Sequence, residues 1–270
     1  MRIEALLNPT PLDALLKSER GIVLVGLLCL VVLAAIYTVF GVGMKMSTIQ
    51  MTGVGAVMMA HAPWTVAYAV LVFLMWWIMM VAMMVPSAAS MVLLFSALKR
   101  RRTGLRHPVA LTFTFLSGYL LIWALFSLAA TGLQWSLEIV RLLTPSMQVS
   151  ETVLGGMILM GAGLYQFSAW KNACLKQCQS PVRFMVERRR PGFPGALRMG
   201  LEHGAFCLGC CWFLMLLLFV GGVMNLYWIG ALAIYVLLEK LILGGLWLGR
   251  TSGALLCVVG ALWVMFPGGL

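Results

Sequence analysis

Residues 69–98 read AVLVFLMWWIMMVAMMVPSAASMVLLFSAL and contain no aspartate, glutamate, lysine or arginine. An α-helix needs about 20 mainly apolar residues to cross the hydrocarbon core of a bilayer. This stretch is longer than that, and it therefore predicts a transmembrane helix. Apolar runs of similar character recur along the chain, so we expect this helix to be one of several.

The composition of the whole chain supports the same interpretation. Of its 270 residues, 62% are hydrophobic and only 10% are charged, and the mean hydropathy is +1.00. A soluble domain is about half apolar and about a quarter charged, so no soluble fold could bury these side chains. We predict an all-α, polytopic transmembrane helical bundle, with an interfacial segment at residues 1–20 and a single helical domain over residues 21–270.

The apolar runs predict seven spans, and six remain possible because the last run is short. Residues 1–20 include acidic side chains and precede a run too long for a signal peptide, so we expect that run to remain as the first span. A tight turn around Asn225 predicts that the fifth and sixth spans form an antiparallel hairpin. The predicted ranges are 20–43, 69–98, 109–135, 153–172, 204–224, 226–248 and 252–267.

The basic residues predict the orientation of these spans. The net charge is +11, and alternate connections carry 16 lysines and arginines on one side against 2 on the other. By the positive-inside rule, the N-terminus and the second and fourth connections face the cytoplasm of a bacterial inner membrane. Because the charges lie in short blocks between apolar runs, they favour a topology signal over a nucleic-acid-binding surface, and no nucleic-acid partner is expected.

Five of the seven cysteines gather around the fourth connection, with one of the three histidines. Two cysteines, four residues apart, end predicted span four, and the histidine and three cysteines open span five. Since each helical residue advances by about 100°, the set on span five fits within a sector of roughly 100°. These candidate metal ligands are Cys174, Cys178, His203, Cys207, Cys210 and Cys211.

Thiolates with one imidazole suit Cu(I), Zn(II) or an iron–sulfur cluster. Structural disulfides are not expected, because the predicted side is the reducing cytoplasm. Two alternatives stay open. The cysteines could be small buried residues at helix contacts, or they could serve a thiol redox function, although no thioredoxin-like context accompanies them. Copper is the preferred metal, and zinc or iron remains possible.

Methionines supply a second set of soft donors on predicted span two, where Pro86 should kink the helix. Thioethers favour Cu(I), but methionine also fills irregular gaps in any helical bundle. A Met/His-rich stretch from Met44 to His61 could gather copper outside, or it could be an interfacial segment. The candidate ligands on span two are Met79, Met80, Met83 and Met84.

Two charged residues fall within predicted span six. Charges at that depth are costly, and they usually face a partner or a polar cavity. Glu239 could bind a cation or carry a proton, and we add it to the candidate metal ligands. Lys240 is expected to extend its ammonium group toward the cytoplasmic interface.

Several stretches resemble a bacterial family of predicted metal-binding integral membrane proteins, whose domain has no known function. The resemblance covers about residues 70–245. It implies metal binding, and it adds neither a particular metal nor a reaction. The matching pieces are WWIMMVAMMVP (76–86), GLYQFSAWKNACLKQC (163–178), GAFCLGCCW (204–212), Met224-Asn225 and Glu239-Lys240.

The sequence therefore predicts a membrane protein that handles Cu(I), by transport or by delivery to a metalloenzyme. The Cys/His cluster would hold the ion at the cytoplasmic ends of spans four and five, and the span-two methionines and Glu239 would line a path. The expected partners are the lipid bilayer and a metalloenzyme or another membrane subunit. The alternative is a redox or accessory subunit of a larger membrane enzyme complex, with a redox metal or a structural zinc. Without a P-loop or a hydrolytic His/carboxylate set, we do not expect the chain to be an enzyme on its own.

Overall fold

The computed structural model describes residues 11–40, 64–100, 108–144, 147–242 and 245–267. Apart from an isolated bridge between Leu143 and Val149, the regular structure of these residues is helical, which confirms the predicted all-α class. The Met/His-rich stretch from residue 44 to residue 61 lies outside the described residues, as do the first ten residues.

The described helices are numbered in chain order. α1 continues without a break through residues 11–20, the second half of the predicted interfacial segment. The bounds are α1 Pro11–Phe40, α2 Val66–Arg100, α3 Pro108–Ile139, α4 Thr152–Gln166, α5 Ala169–Gln179, α6 Pro181–Glu187, α7 Gly192–Leu216, α8 Leu218–Gly221, α9 Leu226–Leu241 and α10 Gly245–Met265.

Four of the described helical stretches are long and apolar enough to cross a membrane, and the bent pair α4–α5 would make a fifth. The apolar stretch Val25–Thr38 of α1 is shorter, and α9 has only 16 residues. The predicted number of seven spans is therefore not confirmed. The four stretches are Val66–Lys99, Pro108–Ile139, Gly192–Gly221 and Leu246–Met265.

α7 begins at Gly192, 12 residues before residue 204, the predicted start of span five. Pro194 lies in its first turn, where the missing backbone N–H leaves no helical hydrogen bond unmade. Glu202 is accommodated because Arg188 and Arg190 lie 3.3 and 3.1 Å from its carboxylate oxygens. The predicted boundary is wrong because hydropathy alone does not show that the charge of Glu202 is neutralised by these arginines.

The predicted single helix over residues 153–172 is also wrong. The chain bends by 64° between α4 and α5. Ser168 adopts an extended backbone conformation there, and its hydroxyl accepts the backbone N–H of Trp170 at 3.2 Å, which caps α5. Because of this bend, α5 packs along α7 instead of continuing the line of α4.

The predicted boundary between spans six and seven is also wrong, since α9 ends at Leu241 and α10 begins at Gly245. The final helix is therefore longer than the predicted 252–267, and it is one of the candidate spans. α10 packs closely on α4, where a Cβ added to Gly156 would lie 2.8 Å from the carbonyl oxygen of Gly260. Small residues at such contacts are typical of helices that pack in membranes.

The outer surface of the bundle differs from that of a water-soluble bundle. Large apolar side chains cover outer surfaces, with Leu125 62% and Trp247 74% exposed. Lys171, Glu239 and Lys240 are almost completely buried. Three charged side chains of the described residues thus lie inside the bundle.

Candidate metal centre

α7 carries four of the predicted ligands on one buried face. His203, Cys207, Cys210 and Cys211 are each at most 3% exposed. Because α7 begins at Gly192, these residues lie about three to five turns into the helix. The predicted position at the first turn of a helix is therefore wrong, although the shared face is as predicted.

The three α7 thiols form a compact group. The Sγ atoms of Cys210 and Cys211 each donate to the carbonyl oxygen of Cys207 at 3.0 Å. The side chain of Cys210 is also a close neighbour of those of Cys207 and Cys211. The i, i+3 and i, i+4 spacing thus brings the three sulfur atoms to one place on the helix surface.

α5 adds a thiol to this group. Cys178, which is half-buried, lies beside Cys210 of α7, so the two predicted clusters are neighbours. Cys174 lies one turn earlier and packs over Gly209, where an added Cβ would lie 2.7 Å from its Sγ atom. The thiol cluster, by which we mean Cys178, Cys207, Cys210 and Cys211, is therefore built from two helices, with Cys174 beside it.

His203 lies one turn before Cys207 in an aromatic surrounding. Its ring stacks on Tyr119 and Phe115, with centroid distances of 5.5 and 6.1 Å, and Phe184 contacts it edge-on. The buried Nδ1 atom has no hydrogen-bond partner. Buried polar atoms are rarely left unsatisfied, so this nitrogen is available to a ligand.

Cys207 also receives polar partners from other helices. Its Sγ atom lies 3.1 Å from the Tyr119 hydroxyl and 3.0 Å from Nζ of Lys240. Lys240 donates to the Ser87 hydroxyl at 2.9 Å, and Tyr119 donates to the carbonyl of Met84 at 3.1 Å. The expectation that Lys240 reaches the interface is therefore wrong, because acceptors inside the bundle hold its ammonium group.

The predicted methionine stripe is a buried face of α2, and its members are at most 3% exposed. Pro86 lies in the interior of α2 and cannot donate a backbone hydrogen bond. Close to this point, the Met84 carbonyl accepts from Ser87 at 2.8 Å as well as from Tyr119. The stripe, which comprises Met79, Met80, Met83 and Met84, therefore borders the thiol cluster at its Met84 end.

Glu239 lies in a separate polar network at the α4–α5 bend. Its carboxylate accepts from Nζ of Lys171 at 2.5 Å, and both side chains are 1% exposed. Lys171 also donates to Gln166, and the Tyr235 hydroxyl lies 3.4 Å from the same Glu239 oxygen. The carboxylate is thus engaged by a buried cation.

Among the residues that the structure describes, no group of three or more His, Cys, Asp or Glu side chains is placed to hold a metal ion. Two of the thiols turn back onto the helix carbonyl of Cys207. The chemistry of the donor set nevertheless fits a soft monovalent ion, since thiolates select Cu(I). Rotation of a cysteine side chain about χ1 would release its sulfur toward such an ion.

Comparison with known proteins identifies one family. The model of the PpoB2 family, described as a copper chaperone, matches residues 73–263. This range is more than half of the chain, and it contains every candidate ligand described above. No curated protein and no solved structure matches the chain significantly.

Proposed function

This chain belongs to the PpoB2 copper chaperone family, and from that premise we propose that it holds Cu(I) in the bacterial inner membrane for delivery to a metalloenzyme. The family supports copper as the cargo. The exposed apolar surfaces and the candidate spans support a bilayer location. The observation that carries the proposal is the close packing of α5 on α7, where Cys174 packs over Gly209 and Cys178 lies beside Cys210.

In the proposed site, thiolates of the thiol cluster bind the ion. Cys210 is the central ligand, because it contacts Cys178 across the helix interface and Cys207 and Cys211 on its own helix. His203 offers its unpartnered Nδ1 one turn away. Burial limits the access of water and competing thiols to the bound ion, which suits a protein that retains copper until a partner accepts it.

The methionine stripe provides a proposed route to and from this site. Thioethers bind Cu(I) more weakly than thiolates do, and a row of them can pass the ion along a buried helix face. Glu239 contributes to this route only if its carboxylate separates from Lys171. Transport across the membrane would use the same route, so the stripe serves either form of copper handling.

The proposed topology has seven spans. It counts α1, α2, α3, the bent pair α4–α5, α7 with α8, α9 and α10 as one span each. The N-terminus then lies in the cytoplasm and the C-terminus outside. The distribution of lysine and arginine between alternate connections supports this orientation.

Metal analysis of the purified protein tests the proposal. We expect copper to remain with the wild type after anaerobic loading with Cu(I) and removal of free ion. The double variant Cys207→Ser/Cys210→Ser should lose it, whereas Cys29→Ser/Cys257→Ser should keep it, because those cysteines lie outside the thiol cluster. Equal amounts of copper in all three proteins would show that Cys207 and Cys210 do not bind the ion. Zinc retained in place of copper would favour a structural zinc.

A further inference from the structure

Lys240 places a cation directly against the thiol cluster. Its Nζ atom lies 3.0 Å from Sγ of Cys207 and 2.9 Å from the hydroxyl of Ser87, and the residue is 7% exposed. An ammonium group of this kind is expensive to bury unless an opposite charge accompanies it. The described partners of Lys240 are neutral groups or thiols, so the balancing charge has to come from the cluster itself.

The other buried charges do not alter this balance. Glu239 precedes Lys240 in the chain, but its carboxylate pairs with Lys171 at 2.5 Å, and those two charges cancel. Tyr119, the other polar partner of Cys207, brings a neutral hydroxyl. Lys240 therefore contributes one net positive charge at the thiol cluster.

We infer that Lys240 makes the site selective for a monovalent over a divalent metal ion, an inference that rests on the proposed function. The complex of Cu⁺ with two thiolates carries one net negative charge, which the Lys240 ammonium group neutralises. The complex of Zn²⁺ with the same two thiolates is neutral. The charge of Lys240 would then remain uncompensated in the low-dielectric interior. With two thiolate ligands, the loaded site is electrically neutral only with the monovalent ion.

The number of thiolates sets the net charge of each complex, and a third thiolate would make the zinc complex neutral beside Lys240 and the copper complex negative. For any fixed set of ligands, however, the Lys240 ammonium group repels a divalent ion about twice as strongly as a monovalent one, because the Coulomb energy is proportional to the charge of the ion. The presence of Lys240 therefore shifts the affinity ratio toward Cu(I) whichever members of the thiol cluster bind.

The test compares a neutral and a cationic substitution at this position. Lys240→Gln keeps hydrogen-bond donors near Ser87 and Cys207 but removes the charge, and Lys240→Arg retains it. Ser87→Ala is the matched control, because it removes a partner of Lys240 and leaves all charges in place. Affinities for Cu(I) and Zn(II) are measured on each full-length purified protein by competition with chromophoric chelators.

We expect Lys240→Gln to lower the ratio of Cu(I) to Zn(II) affinity on the order of 100-fold, as the loss of a unit charge a few ångströms away implies. Lys240→Arg and Ser87→Ala should change the ratio by less than about tenfold. Should Lys240→Gln not fold, Lys240→Met provides the same loss of charge with the length of the side chain retained.

The inference is overturned if the neutral variants keep the wild-type affinity ratio while the wild type binds Cu(I) tightly. That result leaves the proposed function intact. If the wild type binds no Cu(I), or if binding survives Cys207→Ser/Cys210→Ser, the proposed function itself fails and the inference falls with it. The two failures are therefore distinguishable within one set of measurements.

Discussion

Cys207 connects the candidate site to four helices. It belongs to α7, its sulfur contacts Tyr119 of α3 and Lys240 of α9, and Lys240 in turn reaches Ser87 of α2. A change at this sulfur, such as metal binding, would therefore alter contacts that hold the bundle together. This gives a physical route by which the loaded and empty forms could present different surfaces to a partner.

The buried ion pair between Lys171 and Glu239 should contribute more to stability than an exposed ion pair does. Lys171→Met leaves the Glu239 carboxylate buried without its cationic partner, so we expect the protein to lose about 3–5 kcal/mol of stability. Arg183→Ala removes an exposed pair with Glu187 and should cost at most about 1 kcal/mol. Unfolding of each variant in detergent micelles gives the comparison.

The double variant Lys171→Met/Glu239→Leu provides the control for that prediction. Replacing both members removes the unpaired charge, and stability should recover most of what the single change lost. If Lys171→Met is no less stable than Arg183→Ala, the ion pair does not stabilise the α4–α5 bend.

Among the elements, the contact between α5 and α7 decides whether the two groups of cysteines form one site. Gly209→Ala would place a Cβ 2.7 Å from Sγ of Cys174, which should push α5 away and separate Cys178 from Cys210. We expect weaker Cu(I) binding, measured by chelator competition. Gly230→Ala, where nothing lies within 4 Å of the added Cβ, should leave binding unchanged.

Removing the obstructing sulfur distinguishes this steric effect from a general loss of structure. Gly209→Ala/Cys174→Ala restores space between the helices, so Cu(I) affinity should return toward that of Cys174→Ala alone. An affinity that stays low in the double variant would show that Gly209 matters for another reason.

Spacing along one helix was predictable from the sequence, but contacts between helices were not. The i, i+3 and i, i+4 pattern from His203 to Cys211 predicts a common face on α7, and the structure has it. The bend at Ser168 and the early start of α7 depend on local caps and ion pairs that hydropathy does not register. The contacts of Tyr119 and Ser87 with the site could not be predicted, because no sequence pattern shows that single hydroxyl groups on separate helices will pack together.

For the whole molecule, the proposed seven spans place the two termini on opposite sides of the membrane. A reporter that is active only outside the cytoplasm, such as alkaline phosphatase, should therefore be active when fused after residue 267. The same reporter fused after residue 100 should be inactive, since the basic connection there is proposed to be cytoplasmic. An inactive C-terminal fusion would instead support six spans.

X-ray absorption of the copper-loaded protein tests the central claim, a thiolate-bound Cu(I) ion between α5 and α7, most directly. We expect the edge of Cu(I) and a first shell made of sulfur in the wild type and in Cys29→Ser/Cys257→Ser. In Cys207→Ser/Cys210→Ser that sulfur shell should be lost or replaced by lighter ligands. A first shell of nitrogen and oxygen in the wild type, or an unchanged sulfur shell in the double variant, would contradict the account.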